Sequence, residues 1–171
     1  RIVLAQPLQP GTSYQVRLAA ILGGPLRAAD YLWSFRTPVP QLAGTQPADG
    51  DTAVVSGLKE LSASFGDPLN AALVDEENVT VLRGGEAVGV ADLLYGDEEL
   101  RIVLDESLQA GTSYQVRLAA ALGGPLRAAD YLWNFSTGVP RLVEVSPAAG
   151  TIGVEAGALK EVVVSFDAPL D

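Results

Sequence analysis

Acidic side chains are the only candidate catalytic groups in this sequence. Its 171 residues contain no histidine, cysteine or methionine. That removes imidazole bases, thiolate nucleophiles, disulfides and nearly every zinc or haem site, and with them an ordinary metalloenzyme. Two acidic runs remain, Asp75-Glu76-Glu77 and Asp97-Glu98-Glu99. A carboxylate pair can divide acid and base roles, as in glycoside hydrolysis, if one cleft holds both and drives their pKa values apart. Neither run has an aromatic sugar platform beside it and both fall at turns, so solvated turn charge is expected, with no catalytic residue and no enzyme activity. Asp49 and Asp51 are the candidate metal ligands, since hard carboxylate oxygens at a turn suit calcium. Calcium takes about six to eight oxygens, and the equivalent stretch Ala149-Gly150-Thr151 has no carboxylate. A turn-forming Asp beside Gly explains the pair better, so no cofactor is expected.

The elements that would position these groups announce themselves by repetition. Residues 1–40 recur at 101–140, differing only at positions 5, 6, 7, 10, 21, 34, 36 and 38 of the first copy. Residues 41–70 recur more loosely at 141–171, with one residue inserted. A period of about one hundred residues points to a repeated unit. The expected division is 1–37 as the later half of one repeat, 38–137 as a complete repeat and 138–171 as the earlier half of the next.

Within the complete repeat, apolar residues alternate with polar ones, the period of a half-buried strand. Leu61, Ala63 and Phe65 share a face, as do Val79 and Val81, Leu100, Ile102 and Leu104, Tyr114, Val116 and Leu118, and Tyr131, Trp133 and Phe135. Gly84-Gly85 reads as a hairpin turn leading into a strand from Val88 to Tyr95, and Asn70–Glu77 as the one short helical turn. Val103, Leu132, Ala119 and Val163 are expected to face outward. About seven short strands per ~100 residues predict an all-β fold of tandem immunoglobulin-like antiparallel sandwiches. Tyr114, opening a strand after the Gly111 turn, suits a tyrosine corner in which its hydroxyl bonds back to the turn, and Tyr14 repeats it. Without cysteine, no disulfide joins the sheets.

Charge narrows the partners. Eleven basic residues against twenty-one acidic ones leave a net charge of −10, which repels phosphate backbones and anionic lipid, so no nucleic-acid partner is expected. No run of about 20 apolar residues could span a bilayer, so no membrane insertion is expected in this segment. A chain that begins mid-strand at Arg1 reads as a segment or mature product.

Ser146-Pro147-Ala148-Ala149-Gly150 and the strand ending Val164-Ser165-Phe166-Asp167-Ala168-Pro169-Leu170-Asp171 resemble the opening of the bacterial Ig-like domains found in S-layer and other surface proteins. The strands Leu100–Leu104 and Leu108–Leu118, the turn Gly123–Leu126 and the Trp133-Asn134-Phe135-Ser136-Thr137 strand resemble the closing half. The resemblance implies tandem, extracellular or cell-surface, non-catalytic units, with no standard active site to carry over. Some surface domains of this type join a strand lysine to Asn or Asp in an isopeptide bond; Lys59 and Lys160, the only lysines, start equivalent strands, and a long side chain at a strand end is expected to snorkel outward instead.

The resulting expectation is an S-layer-like structural unit of a stalk, coat or filament, which acts by mechanical spacing and whose partner is itself. Two alternatives stay open: an adhesin-like binding module using loops such as Gly123–Arg127, and a non-catalytic spacer of a secreted enzyme. The terminal halves read either as a window onto a longer array or as segments that complement between chains.

Overall fold

The computed structural model describes residues 1–24, 28–152 and 161–167. Strands run in the order β1 Ser13–Leu18, β2 Tyr31–Arg36, β3 Leu42–Gln46, β4 Glu60–Phe65, β5 Val79–Arg83, β6 Glu86–Val88, β7 Val90–Gly96, β8 Glu99–Leu104, β9 Ser113–Leu118, β10 Tyr131–Ser136, β11 Leu142–Ser146 and β12 Val163–Phe166. The described residues contain no α-helix; short 3-10 turns occupy Ala20–Gly23, Ala71–Leu73 and Ala120–Gly123.

Between residues 42 and 136 the strands form two four-stranded antiparallel sheets, ordered β3-β4-β8-β7 and β10-β9-β5-β6. One face of each is apolar by alternation, and the two apolar faces meet. Leu61, Ala63, Phe65, Leu100, Ile102 and Leu104 from the first sheet share a buried cluster with Val79, Val81, Tyr114, Val116, Leu118, Tyr131, Trp133 and Phe135 from the second. The product is an immunoglobulin-like sandwich. Each fully buried Leu or Val side chain contributes roughly 1.5–3 kcal/mol. Tyr114 makes the expected corner: its hydroxyl accepts the Gln109 N–H at 2.8 Å, and its ring stacks on Phe135 at 5.4 Å.

Strand direction gives the sandwich two distinct ends. Leu42, Phe65, Val79, Leu118 and Tyr131 lie at the proximal end, tied across the sheets by the edge-to-face contact of Phe65 and Tyr131 at 5.3 Å. Arg83, Ser113 and Ser136 lie at the distal end. The chain comes in through Pro38–Gln41 proximally and leaves after Thr137 distally.

The flanking segments repeat parts of this sandwich. β1 and β2 pair from Ser13↔Arg36 to Leu18↔Tyr31, the register of β9 and β10. β11 and β12 reproduce the pairing of β3 and β4, including the irregularity after Leu142, as after Leu42.

Three expectations need correction. The strand read as Val88–Tyr95 is two strands in different sheets, β6 and β7, because the chain crosses over at Gly89. A Cβ there would collide with the Asp105 carboxylate, and Gly89 accepts the Asp105 N–H at 3.0 Å. Helical turns also form outside Asn70–Glu77, at Ala120–Gly123 and its counterpart Ala20–Gly23. Ala119, expected outward, is buried. It is the extended residue capping the 3-10 turn, where strand alternation has already ended. Leu132 and Val163 are exposed as expected, and Val103 is half-buried.

Candidate functional site

The carboxylates singled out from sequence serve the backbone. Asp49 Oδ1 accepts the Asn134 N–H at 2.9 Å and Asp51 Oδ1 accepts the Ala53 N–H at 3.1 Å. Both belong to a segment that runs parallel to β10. Around them Gly50 N–H donates to Asn134 O at 2.7 Å, Ser136 N–H to Asp51 O at 2.7 Å, Val54 N–H to Ser136 O at 3.1 Å and Gly138 N–H to Val54 O at 2.9 Å. Asp75 Oδ1 accepts the backbone N–H groups of Glu77 at 3.1 Å and Asn78 at 3.0 Å, closing the turn into β5. Asp97 and Glu98 form the β7–β8 hairpin turn, both at positive φ. The two acidic runs do not converge. Asp75, Glu76 and Glu77 instead line a shallow cleft with Asp92, a residue the sequence reading passed over. Among the described residues no cluster of three acidic, histidine or cysteine side chains could hold a metal ion. Lys59 is exposed and its Nζ donates to the Asp105 carbonyl at 3.1 Å; Lys160 lies outside the described residues.

The most constructed feature is the connection between β9 and β10, residues 119–130. After Leu118 the chain makes a 3-10 turn that ends on Gly124 at φ +85°, a conformation that favours glycine. Asp130 pins this turn. Its Oδ1 accepts the Ala120 N–H at 2.7 Å and its Oδ2 accepts Arg117 Nε at 2.6 Å. The backbone bond to Ala120 first, and Arg117 second, hold the Asp130 carboxyl below the usual Asp value. The Arg127 guanidinium lies 3.5 Å from the centre of the Tyr131 ring. Burial raises the Tyr131 pKa, and its hydroxyl donates to the Pro40 carbonyl at 2.7 Å. This bond fastens the incoming linker to the proximal end.

The same loop receives the preceding segment. Leu126 N–H donates to the Gly11 carbonyl at 2.8 Å. A Cβ on Gly11 would run into the Gly123 carbonyl, and one on Gly124 into the Pro10 carbonyl. Two backbones therefore touch through paired glycines. Beside them, a cleft of about 590 Å³ opens between residues 6–10 and the Asp67–Ala72 loop. The clamp recurs in the first copy, where Asp30 binds Ala20 N–H at 2.7 Å and Arg17 Nε. The sequence reading missed it. Its signal was an Arg and an Asp thirteen residues apart in both copies, but when a whole segment recurs, a recurring pair inside it does not stand out.

Residues 38–137 match the family model described as the bacterial Ig-like domain. No curated protein sequence matches the chain. Solved structures similar in fold include the N-terminal part of the bacterial S-layer protein SbsC, at 13% identity over 63% of this chain and 26% of that one, with a TM-score of 0.44. CopC from Methylosinus trichosporium OB3b is 20% identical over 61% of this chain and 99% of its own, with a TM-score of 0.43. L,D-transpeptidase 3 from Mycobacterium tuberculosis is 17% identical over 59% of this chain and 38% of its own, with a TM-score of 0.38. This chain thus spans about a quarter of the S-layer chain it matches.

Proposed function

The chain belongs to the bacterial Ig-like domain family, and on that footing we propose that it is a structural unit of an extracellular or cell-surface protein, a stalk, coat or filament element that works by spacing. One observation carries this reading: the chain comes in at one end of the sandwich and leaves at the other. Each folded unit therefore adds its own long dimension to any array built from it. The proximal connection is held by the Tyr131 hydroxyl on Pro40 and by Leu126 on Gly11, so tension applied to the linker reaches the sandwich.

The load path is favourable. Residues 49–54 run parallel to β10, and the N-terminal side of the sandwich is pulled proximally while the C-terminal side is pulled distally. The bonds joining Asp49, Gly50, Asp51 and Val54 to Asn134, Ser136 and Gly138 are then strained together in shear rather than opened one by one. The loop that an adhesive reading would use, Gly123–Arg127, is in part taken up by residues 10–11, which favours spacing over ligand recognition.

The test is accessibility on intact cells of the source bacterium. Antibody raised against residues 38–137 should label unpermeabilised cells, and external protease should remove the signal. Labelling that appears only after permeabilisation would overturn the surface role.

A further inference from the structure

The contact between residues 10–11 and residues 123–126 has two halves; the turn occurs a second time in the chain, and among the described residues the 3-10 turn and glycine pair of the socket do so as well, at Ala20–Gly24. The first half is a turn. Gly11 N–H donates to Pro38 O at 2.7 Å, Thr12 Oγ1 to Pro10 O at 2.7 Å, and Thr12 N–H to Thr37 Oγ1 at 2.9 Å. The turn at 110–112 has the same bonds: Gly111 N–H to Gly138 O at 3.0 Å, Thr112 Oγ1 to Ala110 O at 2.8 Å, and Thr112 N–H to Thr137 Oγ1 at 2.9 Å. The glycines match in φ, +51° and +59°. The second half is the socket made by the 3-10 turn. Gly124 N–H donates to Ala121 O at 3.0 Å with Asp130 on Ala120, and Gly24 N–H donates to Ile21 O at 3.2 Å with Asp30 on Ala20. Their φ values are +85° and +89°.

Where turn meets socket, Gly11 and Gly124 are buried. Where they do not meet, Gly111 is exposed, and a Cβ on Gly24 would find nothing within 4 Å. The turn, and the 3-10 turn of the socket up to its second glycine, thus keep the same backbone without the contact, and preformed parts lose little conformational freedom on docking.

We propose that the turn at Ala110–Gly111 and the socket at Gly23–Gly24 form a head-to-tail docking pair for a second copy of this repeat, reproducing the contact of Pro10–Gly11 with Gly123–Gly124. The proposal rests on the spacing role above and adds what sets the angle between units. The occupant is a like repeat because the surface is already seen filled by one, nearly identical in sequence. The interface joins two different patches, so it does not close on itself and propagates as a line. Glycine is required on both sides because the approach is backbone to backbone, and any Cβ holds the chains apart.

The test uses the full chain labelled with 15N. Gly11→Asn tolerates the left-handed turn, since Asn visits that region, but places a Cβ against Gly123. Gly111→Asn makes the same change in the same turn, where the Cβ meets only the end of the Val139 side chain at 3.2 Å. Gly11→Asn should speed hydrogen exchange at the Leu126 amide by at least about tenfold and leave the melting temperature of the sandwich unchanged, whereas Gly111→Asn should leave Leu126 protected. Gly11→Ala beside Gly111→Ala, which strain the two matching turns alike, is the second pair should the Asn side chain make contacts of its own. In the wild-type chain the Gly24 and Gly111 amide resonances should shift together as concentration rises into the millimolar range, and Gly111→Asn should abolish both shifts. Equal Leu126 protection in all variants, or no paired shift, would overturn the proposal. Either result leaves the spacing role standing, because flexibly linked units also span distance; that role fails only on the intact-cell measurement.

Discussion

Replacing Val54 with proline strikes the shear ladder at its distal end. Val54 is 6% exposed, donates its N–H to Ser136 and accepts from Gly138. Proline has no N–H, so the bond to Ser136 is lost, at a net cost of about 0.5–1.5 kcal/mol. Proline carries as many side-chain carbons as valine, so little apolar burial is lost, and because the replaced N–H was bonded the stiffer unfolded chain gives no return: proline at such a position destabilises by more than about 0.4–1 kcal/mol. The net loss is about 1–2 kcal/mol. Val81→Ala is the comparison, at a fully buried position on β5, two strands in from the ladder strand β10 in the same sheet and without a bond in the ladder. Losing two carbons and leaving a cavity costs about 2–3 kcal/mol. At equilibrium Val81→Ala is therefore the more damaging change. Under force the order should invert. Unfolding rate under load depends on the bonds that break on the way to the transition state, and Val54→Pro removes one of five bonds across the ladder. Single-molecule pulling on the full chain through its termini should show the mean unfolding force of the sandwich about a fifth lower in Val54→Pro and near wild type in Val81→Ala. If force simply follows equilibrium stability, with Val81→Ala the weaker of the two, the ladder is not the load path.

Tyr114→Phe should destabilise the sandwich by about 1–2 kcal/mol in urea unfolding, because the Gln109 N–H loses its acceptor; Tyr14→Phe, whose bond to Gln9 is exposed, should change nothing measurable. Asp130 has a folded-state pKa below its unfolded value, so its contribution is present above about pH 4 and fades as pH falls through the lower folded value. Asp130→Asn should accordingly narrow the stability gap to wild type as acid is added below about pH 4, and a gap that stays constant through that range would refute the clamp. Tyr131 shifts the other way: burial raises its pKa, so the stability linked to its neutral hydroxyl is retained below about pH 10 and lost as pH climbs through the raised value. Chelation of calcium should move the melting temperature by less than about 1 °C; a larger fall that Asp49→Ala removes would establish a site there.

Strand alternation was legible because a half-buried strand needs nothing beyond its own neighbours to declare its face. Phe65, Ile102, Tyr114, Val116 and Trp133 are all buried where parity placed them. The crossover at Gly89 was not legible, since a break between sheets leaves the apolar pattern of Val88 and Val90 looking like one strand. The socket was hidden for another reason. Its glycines read as ordinary turn punctuation, and only the approach of Pro10 and Gly11 in space shows why a side chain is excluded.

The two tryptophans mark the boundary between what is local and what is not. Residues 31–33 and 131–133 are the same three residues, each in a strand paired to an identical neighbour in the same register. Sequence alone determined that much, because alternation and β-hairpin pairing are settled among residues close along the chain. Yet Trp133 is fully buried and Trp33 is 44% exposed. Burial requires a second sheet facing the first, which residues 42–104 provide for Trp133 and which the described residues do not provide for Trp33. Only the tertiary structure decided that difference, because an apolar face is removed from water by what packs against it and not by the strand that carries it.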